Sequence, residues 1–190
     1  MNIIHTSRTG KRYYLHLRPR KDGKPNYFFS TDPEGPMADT IPAGYEVYES
    51  IAGQVFLRRK TAQVISEEEL DRVRQALSTH AEGWRYKAEI KKNMIVVHEA
   101  DQDITWIECL APRLGPASLR EAVIKTAHYM AVLRFILVDQ ANRQFAVQRY
   151  CFRGSVDRWI SIGEDSPSEL STLVKKYVRH LGKDSFYDLM

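Results

Sequence analysis

Cysteine is nearly absent: the 190-residue chain carries two, Cys109 and Cys151. A chain of this length can bury a sizeable apolar core and needs no disulfide staple, so both thiols are expected to be reduced. Long apolar runs are missing too. The longest, Ala131 to Val138, is interrupted by Arg134, and a spanning helix needs about 20 such residues. The opening Met1-Asn2-Ile3-Ile4-His5-Thr6 has no basic segment leading into an apolar one, so no secretory leader is expected. These absences point to a soluble, cytoplasmic protein that does not engage a membrane.

The motifs that fix a chemistry are also lacking. There is no P-loop, no G-x-G-x-x-G, no G-x-S-x-G and no H-E-x-x-H. His5, His16, His80, His98, His128 and His180 are scattered, and none pairs with another His or Cys at a zinc-ligand spacing. Internal repeats and low-complexity segments do not occur. No motif identifies a cofactor.

What is present is the composition of a folded domain: 43% hydrophobic and 27% charged residues exclude wholesale disorder. The charge is unevenly spread. Residues 1–24 hold seven Lys/Arg against one Asp, whereas residues 61–110 hold six basic and ten acidic residues. A concentration of positive charge at one end suits an anionic partner, and composition alone favours the plainer reading that opposite patches aid solubility or meet on folding.

Local patterns predict hairpins first. Arg12 to Arg18 reads as a strand, Asp22-Gly23 as a tight turn, and Asn26 to Ser30 as the returning strand. Thr31 to Pro42 is rich in Pro, Gly and Asp and reads as an exposed, mobile loop. A second hairpin is expected from Gly44 to Arg58, turning near Gly53. Ser66 and Glu69 form a capping box, Ile65 and Leu70 a hydrophobic staple, and Leu70, Val73 and Leu77 an apolar stripe. A helix is therefore expected near 66–80, with a joint near Gly83.

Trp84, Tyr86, Ala88 and Ile90 alternate with charged neighbours as in a strand that is wet on one face. Met94 to His98, Met130 to Val138, Gln144 to Phe152 and Trp159 to Ile162 are expected as further strands, with a short helix from Leu119. A last helix near 166–181 is expected to be capped by Ser166, Pro167 and Glu169 and ended by Gly182. Hairpins with a few packed helices make an α+β fold of antiparallel sheets, not a parallel βαβ fold. The expected division is a hairpin module with its helix over residues 1–82 and a larger unit over 83–190.

The segments Tyr27-Phe28-Phe29-Ser30, Ile41-Pro42-Ala43-Gly44-Tyr45-Glu46-Val47-Tyr48-Glu49 and Gly53-Gln54-Val55-Phe56-Leu57-Arg58-Arg59 resemble a family of uncharacterised bacterial proteins. The resemblance covers about the first third of the chain. It implies a bacterial source and carries no activity with it.

Two clusters carry functional expectations. His98 and Glu99 stand at a strand end as candidates for acid–base catalysis, and Asp101 and Asp103 follow as candidate ligands for a hard divalent ion. Arg12, Tyr13, Tyr14, Arg18, Arg20, Lys21 and Lys24 mix cations with rings, a combination that can neutralise phosphates and stack on bases. A similar mix recurs at Arg143, Arg149, Arg153 and Arg158 with Tyr150, Phe152 and Trp159. The chain therefore reads as a non-enzymatic binding module for single-stranded nucleic acid. The alternatives are an enzyme built on His98 to Asp103 and a module that binds another protein through a sheet edge.

Overall fold

The structure is a computed structural model that describes residues 2–101, 115–153, 156–163 and 166–189. It is an α+β protein, and its described residues form three α-helices and antiparallel sheets. The chain divides into two compact units, Met1–Ala62 and Gln63–Met190. No helix among the described residues is long and apolar enough to cross a membrane.

The first unit contains β1 (Ile4–Thr6), β2 (Arg12–Pro19), β3 (Pro25–Ser30), β4 (Tyr45–Glu49) and β5 (Val55–Arg59). One sheet runs β1-β2-β3, and β4 and β5 form a separate hairpin. The β2–β3 hairpin pairs Tyr14 with Ser30, His16 with Phe28 and Arg18 with Asn26. Leu15, Val55 and Ala38 are buried in this unit. The short strand β1 has no sequence signature of its own, because three residues are too few to show a period.

The loop after β3 differs from its expectation. Thr31 to Pro36 is exposed, but the following turn is tied to β2. Leu17 N–H donates to Pro36 O at 3.0 Å, Ala38 N–H to Leu15 O at 2.8 Å, and Ile3 N–H to Ala38 O at 3.1 Å. Residues Pro36 to Ala38 thus continue the β2 edge where β1 ends, because β2 offers backbone groups there that would otherwise go unpaired. Composition identified the loop; it could not show this docking.

The second unit opens with α1 (Glu67–Ser78). A 3₁₀ turn, Gly83–Arg85, leads to β6 (Tyr86–Lys91) and β7 (Met94–Ala100). Then come α2 (Pro116–Thr126), β8 (Tyr129–Asp139), β9 (Gln144–Arg153), β10 (Val156–Ser161), β11 (Ser168–Glu169) and α3 (Leu170–Tyr177). The sheet is a meander in the order β10-β9-β8-β7-β6, and β11 joins β9. Tyr86, Ile95, Val97, Leu133, Phe135, Phe145 and Val147 alternate onto one face. There they meet Leu70, Val73 and Leu77 of α1 and Leu173, Val174 and Tyr177 of α3.

That core explains where the units divide. The break falls after Ala62, where composition placed it after 82, because α1 buries its apolar stripe against the second sheet. The capping box forms as read: Glu69 N–H donates to Ser66 Oγ at 3.2 Å and Ser66 N–H to Glu69 Oε2 at 2.9 Å. Helix α3 exists, but its start does not use the expected cap. Ser168 and Glu169 pair with Phe145 and Gln144 of β9, so the sheet edge claims their backbone and the helix begins at Leu170. Its 3₁₀ extension runs Val178–His180, and Gly182, at φ +70°, turns the chain out of it. Helix α2 starts at Pro116, a residue whose fixed φ suits a first helical position.

Candidate nucleic-acid interface

Strand alternation sorts the basic and aromatic N-terminal residues onto two faces. Arg12, Tyr14, His16 and Arg18 share one face of β2, and Phe28 lies opposite His16 on the same face of β3. Tyr13 points to the other face. Its partner there is His5, whose Nε2 lies 3.1 Å from Glu49 Oε2 of the β4–β5 hairpin. The two tyrosines expected to act together are therefore separated by the sheet.

The retained face has a rigid centre. His16 is buried, stacks on Phe28 with ring centroids 5.4 Å apart, and bonds Asp32 O through Nε2 at 2.9 Å. The Arg18 guanidinium sits 5.7 Å from the centre of the Phe28 ring, a cation–π distance. Tyr14 and Phe28 are half-buried, and Arg12 and Arg18 are exposed.

The hairpin turn adds three more cations. Gly23 takes φ +75°, and Asp22 Oδ1 accepts the Lys24 N–H at 3.2 Å, which fixes the turn as an Asx motif. Arg20, Lys21 and Lys24 are exposed around it. Arg18, Pro19, Arg20, Lys21, Asp22 and Asn26 line an open depression of about 570 Å³. Asp22 is its one carboxylate.

Among the described residues, none of Arg12, Arg18, Arg20, Lys21 or Lys24 lies in an ion pair. In the same unit Arg8 is neutralised by Glu49 and Arg58 by Glu46. The first unit holds ten Lys/Arg against six Asp/Glu, and the second holds eighteen of each. The whole excess positive charge of the chain thus lies in residues 1–62.

No family model, no curated protein and no solved structure matches the chain. The chemistry of this face rests on its own side chains.

The acidic cluster has a different fate. His98 and Glu99 are consecutive in β7 and face opposite sides of the sheet. His98 is 6% exposed, its Nε2 lies 3.0 Å from Glu89 Oε1, and its Nδ1 has no partner among the described residues. Glu99 accepts from the Tyr86 hydroxyl at 3.2 Å and pairs with Arg85 at 3.0 Å. Burial, and then the Glu99 charge, raise the Tyr86 phenol far above its ordinary value. Asp101 is exposed and its N–H donates to His128 O at 3.0 Å. Asp103 lies outside the described residues, as does Cys109. The pair His98 and Glu99 is therefore not gathered into one site, and no metal-holding group of three His, Cys, Asp or Glu side chains occurs among the described residues. Cys151 is a buried free thiol.

In the second basic and aromatic mix Arg143 and Arg149 are held by internal partners, Arg158 is exposed, and the side chains of Phe152 and Arg153 lie outside what is described. Arg143 reaches Glu69 and Val64 O. Arg149 is buried and donates to Tyr187 O at 2.9 Å and Leu189 O at 3.2 Å. Tyr150 bonds Asp157 and meets Trp159 edge-on. Residue type alone could not separate these arginines from those of the first hairpin; their partners lie 38 to 79 residues away in sequence.

Proposed function

We propose that the first unit binds single-stranded nucleic acid, with little sequence preference, on the face of the β2–β3 hairpin. The observation that carries this reading is the joint exposure of Arg12, Arg18, Arg20, Lys21 and Lys24, free of ion pairs among the described residues, beside the Tyr14 and Phe28 rings. Cations without internal partners keep their full charge for phosphates, and rings stack on any base. Strand rise places Arg12 about 20 Å from Arg18 along β2, so a bound strand would lie along the hairpin. The reading places the protein in the cytoplasm, where such strands are met.

Fluorescence anisotropy with labelled oligonucleotides tests it. Five phosphate contacts correspond to a log–log salt slope of roughly −3.5, from about 0.7 per contact on single strands. Arg18→Ala with Arg20→Ala should flatten that slope by about 1.4. Tyr14→Ala should weaken binding by about 1–3 kcal/mol with the slope unchanged, since stacking releases no counterions. Tyr13→Ala, on the opposite face, and Arg158→Ala, in the second unit, are the controls. The proposal fails if micromolar protein does not bind at low salt, or if the arginine changes leave the slope where it was.

A further inference from the structure

Helices α1 and α3 leave a groove between them on the side away from the sheet's strands. Arg72, Gln75, Ala76 and Thr79 of the first helix and its cap line one wall, a set spaced i, i+3, i+4, i+7 along a single helical face. Ser171, Val174, Lys175 and Val178 repeat that spacing on the other. The cavity measures about 600 Å³, within the range of roughly 300–1,000 Å³ typical of small-molecule sites.

Its chemistry is divided between floor and rim. Ala76, Val174 and Val178 supply apolar surface, and both valines belong to the buried core. Arg72, Lys175, Arg179 and Lys183 stand exposed around the opening. None of the four has a carboxylate partner among the described residues, and no Asp or Glu lines the cavity.

His80 completes one wall. It lines the cavity, and its Nδ1 accepts the Glu82 N–H at 3.2 Å. The neutral ring then carries its hydrogen on Nε2. That atom is buried and has no hydrogen-bond partner among the described residues, and the ring meets Tyr86 edge-on with centroids 5.5 Å apart, so His80 shapes the wall and offers no donor to the opening.

We propose that this groove binds a free, small amphiphilic anion: an apolar body against Ala76, Val174 and Val178, with one carboxylate- or sulfonate-type head among the four cations. An apolar floor alone would not choose a ligand. Four cations without internal counter-charges exclude a cationic ligand by repulsion and favour an anionic one. The apolar floor gives no reward to a small inorganic anion, and the volume fits one small molecule.

The test uses the full chain and anilinonaphthalene sulfonate, whose fluorescence rises in apolar surroundings. Saturable binding to one site per chain is expected at a pH where near-ultraviolet dichroism shows native packing. Dodecanoate below its micelle concentration should displace the dye, and dodecanol of the same chain length should displace it at least tenfold less well. Lys175→Ala with Arg179→Ala, both exposed, should weaken both anions about tenfold, the combined effect of two exposed charge contacts. Ala76→Leu should reduce binding by filling the floor with all four cations kept; the double charge variant decides the matter if that protein does not fold.

Equal displacement by dodecanol, or unchanged affinity in the charge variant, would overturn the proposal. So would the absence of saturable binding. A concentration-dependent dimer that Lys175→Glu dissolves would assign the groove to a second copy of the chain and overturn it as well.

Discussion

Glu69 joins two structures that the sequence lists far apart. It is the third residue of α1, accepting the Ser66 N–H at 2.9 Å, and it receives Arg143 Nε at 3.0 Å from the β8–β9 turn. Arg143 also donates to Val64 O at 3.1 Å, just before the helix. Removing the carboxylate by Glu69→Ala takes away half of the capping box, about 1 kcal/mol, and a charge-assisted bond worth about 1.5–3 kcal/mol in a partly buried setting. Arg143 is 38% exposed, so water can solvate what is left and the lower end of that range applies. We expect a loss of about 2–3 kcal/mol, or roughly 8 °C for a unit of this size.

Glu69→Gln keeps an acceptor for Ser66 N–H and should cost about half as much. The charge also sets a pH signature. Burial alone would raise the Glu69 carboxyl, but the bonds from Arg143 and Ser66 more than reverse this, and it sits below its ordinary value of 4.5. The folded state therefore holds the ionised form more tightly than the unfolded chain does. That stabilisation is complete above 4.5 and disappears as pH falls through the lower folded value. The gap between the natural protein and Glu69→Gln should close over that interval.

Arg143 supplies an independent check, because it occupies the left-handed region at φ +50°. Arg143→Ala loses the clamp and keeps the strained backbone. Arg143→Gly loses the clamp and relieves about 1 kcal/mol of strain, so the glycine variant should be the more stable of the two. Urea unfolding followed by tryptophan fluorescence is the assay, since Trp84, Trp106 and Trp159 all lie in the second unit. A double-mutant cycle between Glu69→Ala and Arg143→Ala with coupling under about 0.5 kcal/mol, the additivity limit for independent sites, would refute the reasoning.

Other consequences can be checked more simply. Gly83→Ala would place a Cβ 2.1 Å from the Leu77 carbonyl oxygen, whereas at Gly23 a Cβ meets nothing within 4 Å; thermal melts should show Gly83→Ala to be much the more damaging, Gly23→Ala costing only about 1 kcal/mol for its positive φ. Brief digestion with a glutamate-specific protease should cut after the exposed Glu34, while an aspartate-directed protease should be slow at Asp39, next to the docked Ala38. Equal rates at both would contradict the docking of Pro36 to Ala38. In a spectrophotometric titration one tyrosine should stay protonated well past the ordinary phenol range, and Tyr86→Phe should remove that late-titrating group.

Much of this protein is legible from local sequence, because the signals that set its elements are short-range. The Asp22-Gly23 turn, the Ser66–Glu69 box, the alternation from Tyr86 to Ile90 and the stripe Leu170, Leu173, Val174, Tyr177 each occupy a few consecutive residues, and each is found as expected. The uneven charge of residues 1–24 was visible in the same way. Tertiary structure decided the rest. Whether a residue such as Tyr13 shares a face with Arg12 depends on strand phase, and whether an arginine is available or consumed depends on partners distant in the chain. Arg18 and Arg143 each lie near an aromatic ring, but Arg18 is exposed without an ion pair among the described residues, whereas Arg143 is locked onto Glu69. The helix groove has no signature at all, since its two walls lie about a hundred residues apart and only the packing of both helices on one sheet face brings Arg72 and Lys175 together. Local propensity is additive along the chain, but sites are made by long-range packing, which no short window contains.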